Sequence, residues 1–130
     1  MKELVAEIKN AGRQYTKSSV QESPGRPAET DTTLTNGLNS DIAGALFIRI
    51  TGPTGGFSVG GFTGGADGRT LRLFNDVAQE MTIVDEDGSS TEANRITTLT
   101  GADVSLRAGR SFATFIYSAA NSRWILMATN

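Results

Sequence analysis

Apolar and polar side chains alternate one by one along short runs of this chain, and the runs are separated by turns built from Gly, Asp and Asn. Leu71 and Leu73 flank Arg72, Met81 and Ile83 flank Thr82, and Val104 and Leu106 flank Ser105. A period of two is that of a β-strand with one dry face and one wet face. Strands are predicted over residues 45–50, 57–63, 70–74, 81–84, 95–99, 104–107, 111–117 and 123–128. Turn signals recur roughly every 8–12 residues, the cadence of a small all-β domain. Fifteen glycines against three prolines, with strands rich in Val, Ile, Thr and Phe, agree with that class. The expectation is one antiparallel β-sandwich or jelly-roll-like barrel over residues 37–130, preceded by an N-terminal arm over residues 1–36.

The last two predicted strands are apolar on both faces. Phe112 and Ile116 alternate with Ala113, Phe115 and Tyr117, and Trp124 and Leu126 alternate with Ile125 and Met127. A small antiparallel sandwich has one dry face per sheet, so the second apolar face calls for another subunit or for the leader folding back. Phe112, Phe115, Tyr117, Trp124, Ile125 and Met127 are the residues expected to form that subunit interface, which becomes a trimer interface under the resemblance described below.

The leader has a different character. Leu4, Ile8, Ala11 and Tyr15 follow one another at spacings of 4, 3 and 4, a helical stripe interrupted at Gly12. A helix this short needs a surface to dock on. Between Thr16 and Asn36 the only large apolar residues are Val20 and Leu34, and Pro24 and Pro27 keep the chain extended. All three lysines, Lys2, Lys9 and Lys17, lie in this leader, whereas the seven basic residues after position 37 are arginines. Arginine suits packed interfaces where its planar fork pairs with carboxylates, and lysine suits hydrated segments.

The residue inventory narrows the chemistry. Without cysteine there are neither disulfides nor thiolate metal sites, and without histidine there is no Ser-His-Asp or Cys-His nucleophile and no imidazole base. A net charge of −2 argues against binding dominated by phosphate contacts, and no apolar run approaches the length of a membrane span. The glycine pairs at 55–56, 60–61 and 64–65 lack the spacing of a phosphate loop and read as places of close backbone approach. Asp85-Glu86-Asp87-Gly88 is the densest carboxylate cluster, but a calcium loop starting at Asp85 would need a glutamate where Ile96 stands. It reads as a solvated turn. Asp85, Glu86, Asp87 and Glu92 are the carboxylates a glycosidase would draw on, and nothing in their spacing fixes the separation that chemistry needs. Arg95 and Arg123 are expected to pair with a carboxylate such as Asp103 or Asp85. Neither catalytic residues nor a cofactor or metal site is expected.

Residues 67–126 carry a series of recognisable positions: Asp67-Gly68, Asn75, Ala93-Asn94-Arg95-Ile96, Thr100-Gly101, Asp103, Leu106, Gly109, Ser111, Tyr117, Arg123-Trp124 and Leu126. This resembles a module of tailed-phage virion proteins, found in head and tail fibres and in trimeric capsid decoration, or cement, proteins. The pattern departs at Ser118, where members often carry Asp. The resemblance implies a structural, non-enzymatic protein made in the host cytoplasm and carried on the outer capsid surface. Its partners would be two further copies of itself and the major capsid protein, with neither nucleic acid nor membrane involved. Leu4, Ile8, Tyr15 and Val20 would anchor the arm on the shell. The alternative is a head- or tail-fibre tip that recognises a host receptor; a length of 130 residues from Met1 favours decoration, because fibres carry long shafts.

Overall fold

The computed structural model describes residues 29–130. Ten strands occur among them: β1 (Thr30–Thr33), β2 (Gly37–Asn39), β3 (Phe47–Thr51), β4 (Phe57–Val59), β5 (Thr70–Asn75), β6 (Met81–Ile83), β7 (Ile96–Thr97), β8 (Val104–Leu106), β9 (Ser111–Ser118) and β10 (Arg123–Thr129). All eight strands expected from the alternation are present. The two that it missed, β1 and β2, have the sequences TDTT and GLN, which carry too few apolar residues to show a period.

The strands form a six-stranded sheet, order β1-β3-β5-β9-β10-β7, and a four-stranded sheet, order β2-β4-β6-β8. From β1 to β6 successive strands fall in alternate sheets, so the chain winds in coils and each strand lies beside the one two further on. Those neighbours are parallel: β1 with β3, β3 with β5, β2 with β4 and β4 with β6. Antiparallel pairing enters only afterwards, where β8 joins β6, β9 joins β5 and β10 joins β9, while β7 lies parallel to β10. This β-solenoid-like arrangement of mixed sheets overturns the antiparallel sandwich or jelly-roll-like barrel that the alternation led us to expect. The physical reason is that a period of two reports which face of a strand is dry and carries no information on the direction of its neighbour.

Polar corner residues tie one coil to the next. Asn36 Oδ1 accepts hydrogen bonds from the backbone N–H of Thr54 (2.8 Å) and Gly55 (3.1 Å), and Asn39 Nδ2 donates to the Ser58 carbonyl at 3.1 Å. The Thr33 and Thr51 hydroxyls meet at 3.2 Å across the β1–β3 register. Arg49 pairs with Asp31 on the preceding coil and with Asp76 just beyond β5, both contacts holding its guanidinium above its usual pKa, Asp76 more than Asp31. Residues 30–34, N-terminal to position 37, thus belong to the folded body, with Leu34 buried in the core. Leu4, Ile8, Tyr15, Val20 and the predicted helix over residues 2–11 lie outside the described residues.

The inner faces of both sheets supply one core. Ile48, Ile50, Leu71, Leu73, Phe115 and Trp124 from the larger sheet join Phe57, Val59, Met81 and Ile83 from the smaller. An aromatic chain runs through it: Phe62 lies edge-on to Phe115 (5.1 Å between centroids) and to Trp124 (5.9 Å), and Tyr117 lies edge-on to Trp124 (5.1 Å). Their polar atoms are satisfied. Trp124 Nε1 donates to the Phe62 carbonyl at 2.9 Å and the Tyr117 hydroxyl donates to the Ala93 carbonyl at 2.8 Å, fixing the Ala93-Asn94 turn against β9 and β10.

Candidate functional site

The expected interface residues divide by strand parity. On β9 and β10, Phe115, Tyr117 and Trp124 point inward and are buried in the chain's own core. Phe112, Ile125 and Met127 are not buried there: Ile125 is half-buried, Phe112 is 41% exposed and Met127 59%. The second apolar face inferred from the sequence is therefore the outer face of the six-stranded sheet. Its rows follow from the register. Ile125 pairs with Ile116, Phe112 with Phe74, and Arg72 lies between Thr114 and Phe47. Met127 shares the parity of Ile125 and faces outward, at a bulge where the register shifts between Leu126 and Ala128.

At the β7 edge of this face stands Leu99. It is 69% exposed and has φ +68°, the left-handed region. An L-residue without a short polar side chain loses roughly 1–2 kcal/mol there relative to the right-handed form. The surrounding loop is braced: Thr98 is buried, its N–H donates to Asp85 Oδ1 at 3.0 Å, and its hydroxyl lies 2.7 Å from the Ala102 carbonyl. Two open clefts flank Leu99. One is bordered by Val104, Leu126, Met127 and Ala128 among others, and the other by Glu86, Thr97, Asn121, Arg123 and Ile125.

The carboxylates singled out from the sequence have structural partners. Asp87 is buried, contrary to the expected solvated turn, and accepts from the Ser40 hydroxyl (2.7 Å), the Ser89 N–H (2.9 Å) and the Ser90 hydroxyl (2.9 Å). Its burial opposes ionisation, but those donors, with the charge of Arg95 nearby, outweigh it and hold the carboxyl below the usual range. Asp41 is held low as well, chiefly by the Asn94 side chain and the Thr91 N–H. Asp103 Oδ1 accepts from the Asp85 N–H at 2.9 Å. The arginine pairings differ from those expected. Arg123 pairs with Glu86 (2.8 Å) and approaches Glu92 (3.7 Å), while Arg95 Nε donates to the Ser90 carbonyl at 3.1 Å. Glu86 is raised by its partial burial and lowered further by Thr97 and Arg123, with a net downward shift.

Every one of these groups is engaged in bracing turns, and among the described residues no three of His, Cys, Asp and Glu come together as metal ligands would. No helix among them is long and apolar enough to cross a membrane. No protein-family model matches the chain, and no curated protein does either. The site is thus defined by its own geometry: a sheet face with Phe74, Phe112, Ile116, Ile125 and Met127, edged by a strained leucine. Leu99 was missed in the sequence because the strand predicted over residues 95–99 takes it as an ordinary end position, whereas the observed strand stops at Thr97.

Proposed function

We propose that this chain is a structural, non-enzymatic virion protein, a trimeric decoration module that attaches to the outer surface of a phage capsid and stabilises the major capsid protein shell. The observation that carries the reading is the outer face of the six-stranded sheet, where Phe112 and Met127 are exposed and Phe74, Ile116 and Ile125 half-buried on a body whose core is already filled. Several large apolar side chains left on the outer face of one sheet mark a protein contact more often than a catalytic centre. Supporting it, Asp41, Asp85, Glu86, Asp87, Asp103, Arg95 and Arg123 are engaged in bonds that brace turns and strand ends. The virion context comes from the resemblance of residues 67–126. The alternative of a head- or tail-fibre tip is favoured by one feature: among the described residues β1 and β2 are the outermost strands of the parallel coils, a position on which further coils of a shaft can stack.

The test is quantification of the protein in purified virions and in tailless heads. High copy number that follows the heads supports decoration. Low copy number that follows the tails would sink it in favour of the fibre tip.

A further inference from the structure

We propose that Asn36 is a conditional deamidation site, protected while the coil of β1 and β2 is closed and converted irreversibly once that coil opens. This chemistry is independent of the virion reading.

Of the seven asparagines, Asn36 alone is followed by glycine. Glycine has no β-carbon to shield its nitrogen, and its freedom of φ lets that nitrogen turn onto the preceding side chain. The reaction there balances with water as the only co-reactant. The Gly37 nitrogen gives its proton to hydroxide and bonds to Asn36 Cγ, the Cγ–Nδ2 bond breaks, and Nδ2 takes a proton from water and leaves as ammonia. Water then opens the cyclic imide at either carbonyl, giving aspartate or isoaspartate, the latter with its main chain running through the side-chain carbon.

In the closed coil both reacting groups are held. Oδ1 accepts from the Thr54 N–H (2.8 Å) and the Gly55 N–H (3.1 Å), Nδ2 donates to Thr54 Oγ1 at 3.2 Å, and the Gly37 N–H donates to the Gly56 carbonyl at 3.1 Å. Two N–H donors on Oδ1 polarise the amide as an oxyanion hole would. Attack also needs a Gly37 nitrogen stripped of its proton and turned onto Cγ, and that N–H is engaged where β2 begins to pair with β4, so the hold on the nucleophile decides the sign. The hold is local. Asn36 is exposed, and among the described residues β1 and β2 are outermost, beside a single neighbouring coil, where opening takes least free energy. Three side-chain hydrogen bonds of ordinary net strength keep the opened form to about one part in a hundred. The two products then part ways. Aspartate at 36 keeps both backbone donors and gains the Thr54 hydroxyl, which can turn to donate. Isoaspartate lengthens the link from buried Leu34 to Gly37, so that the bonds from Leu34 N–H to the Thr51 carbonyl and from Gly37 N–H to the Gly56 carbonyl no longer fit one register.

The experiment incubates the full chain at mildly alkaline pH, folded and in guanidinium, and follows residue 36 by peptide mass and by isoaspartyl methyltransferase labelling. Folded wild type should convert at least about tenfold more slowly than the unfolded chain, because only the opened fraction reacts. Thr54→Ala removes the acceptor of Nδ2 from a distance in sequence; with its fold checked by circular dichroism, it should convert about threefold faster or more when folded and at the wild-type rate when unfolded. Asn36→Asp should melt with wild type, and the isoaspartate fraction should melt lower. Folded wild type that converts as fast as the unfolded chain overturns the inference. A folded Thr54→Ala rate equal to that of wild type, or isoaspartate and aspartate forms that melt alike, does so as well.

Discussion

Gly60 packs its bare Cα against the Asp87 carboxylate, so that a β-carbon at position 60 would overlap Asp87 Oδ2. The carboxylate cannot step aside without breaking its bonds to Ser40, Ser89 and Ser90, and Gly60 cannot move without losing its own N–H bond to the Asn39 carbonyl at 2.8 Å. Gly60→Ala should therefore cost about 2–3 kcal/mol in urea unfolding. Gly56→Ala is the control: its β-carbon meets nothing within 4 Å, and the change should stay within about 0.5 kcal/mol or stabilise slightly. Equal effects at the two positions would contradict the packing.

Acid should unfold the domain through the same carboxylate. Asp87, Glu86 and Asp41 all have folded pKa values below their ordinary ones. The unfolded chain then binds more protons at low pH, so their contribution is complete above the unfolded carboxylate range near pH 4 and is lost as pH falls through the folded values. Stability should be level from pH 7 to about 5 and decline below about 4. Asp87→Asn should lower the plateau by about 2 kcal/mol and flatten the decline. A wild-type midpoint that holds constant down to pH 3 would count against it.

Parity on the last two strands separates folding from assembly. Phe115 is fully buried, so Phe115→Asp should abolish the folded state, which circular dichroism reads as loss of the β signal. Met127→Asp lies on the outer face and should leave a cooperative unfolding transition within about 1 kcal/mol of wild type. A folded Phe115→Asp monomer would mean that the inner face is not the core.

Trp124 is sensitive at one atom. Replacement by Phe keeps an aromatic ring but strands the Phe62 carbonyl, whose bond to the indole is buried, and removes part of the edge-on contacts to Phe62 and Tyr117. The expected loss is about 2–3 kcal/mol by urea titration. A loss under about 0.5 kcal/mol would show that the hydrogen bond contributes little.

Two truncations bracket where the body begins. Removing residues 1–28 spares β1 and should leave the melting temperature within a few degrees while abolishing attachment to heads, if the leader holds the capsid. Removing residues 1–36 also takes β1, the Asp31–Arg49 pair and buried Leu34, and should cost about 3 kcal/mol or more. Equal stability of the two truncated chains would mean that β1 is dispensable.

The sequence by itself determined that residues such as Leu71, Leu73, Met81, Ile83 and Leu106 lie on dry strand faces, because a period of two follows from the pleat whatever the strand's neighbour is. It also determined that β9 and β10 are apolar on both faces. What it left open was set by contacts between residues far apart in the chain. The parallel winding rests on corner bonds such as Asn36 to Thr54 and Thr33 to Thr51, each joining residues 18 positions apart with no periodic mark between them. Which apolar face is dry was decided by the four-stranded sheet closing over Phe115 and Trp124 and leaving Phe112 and Met127 outside. Asp87 reads as a surface turn residue until Ser40, 47 positions earlier, donates to it, and Leu99 reads as the end of the strand predicted over residues 95–99 until its backbone angle and exposure are seen together. Local alternation encodes burial; direction, register and the presentation of a single side chain depend on tertiary contacts.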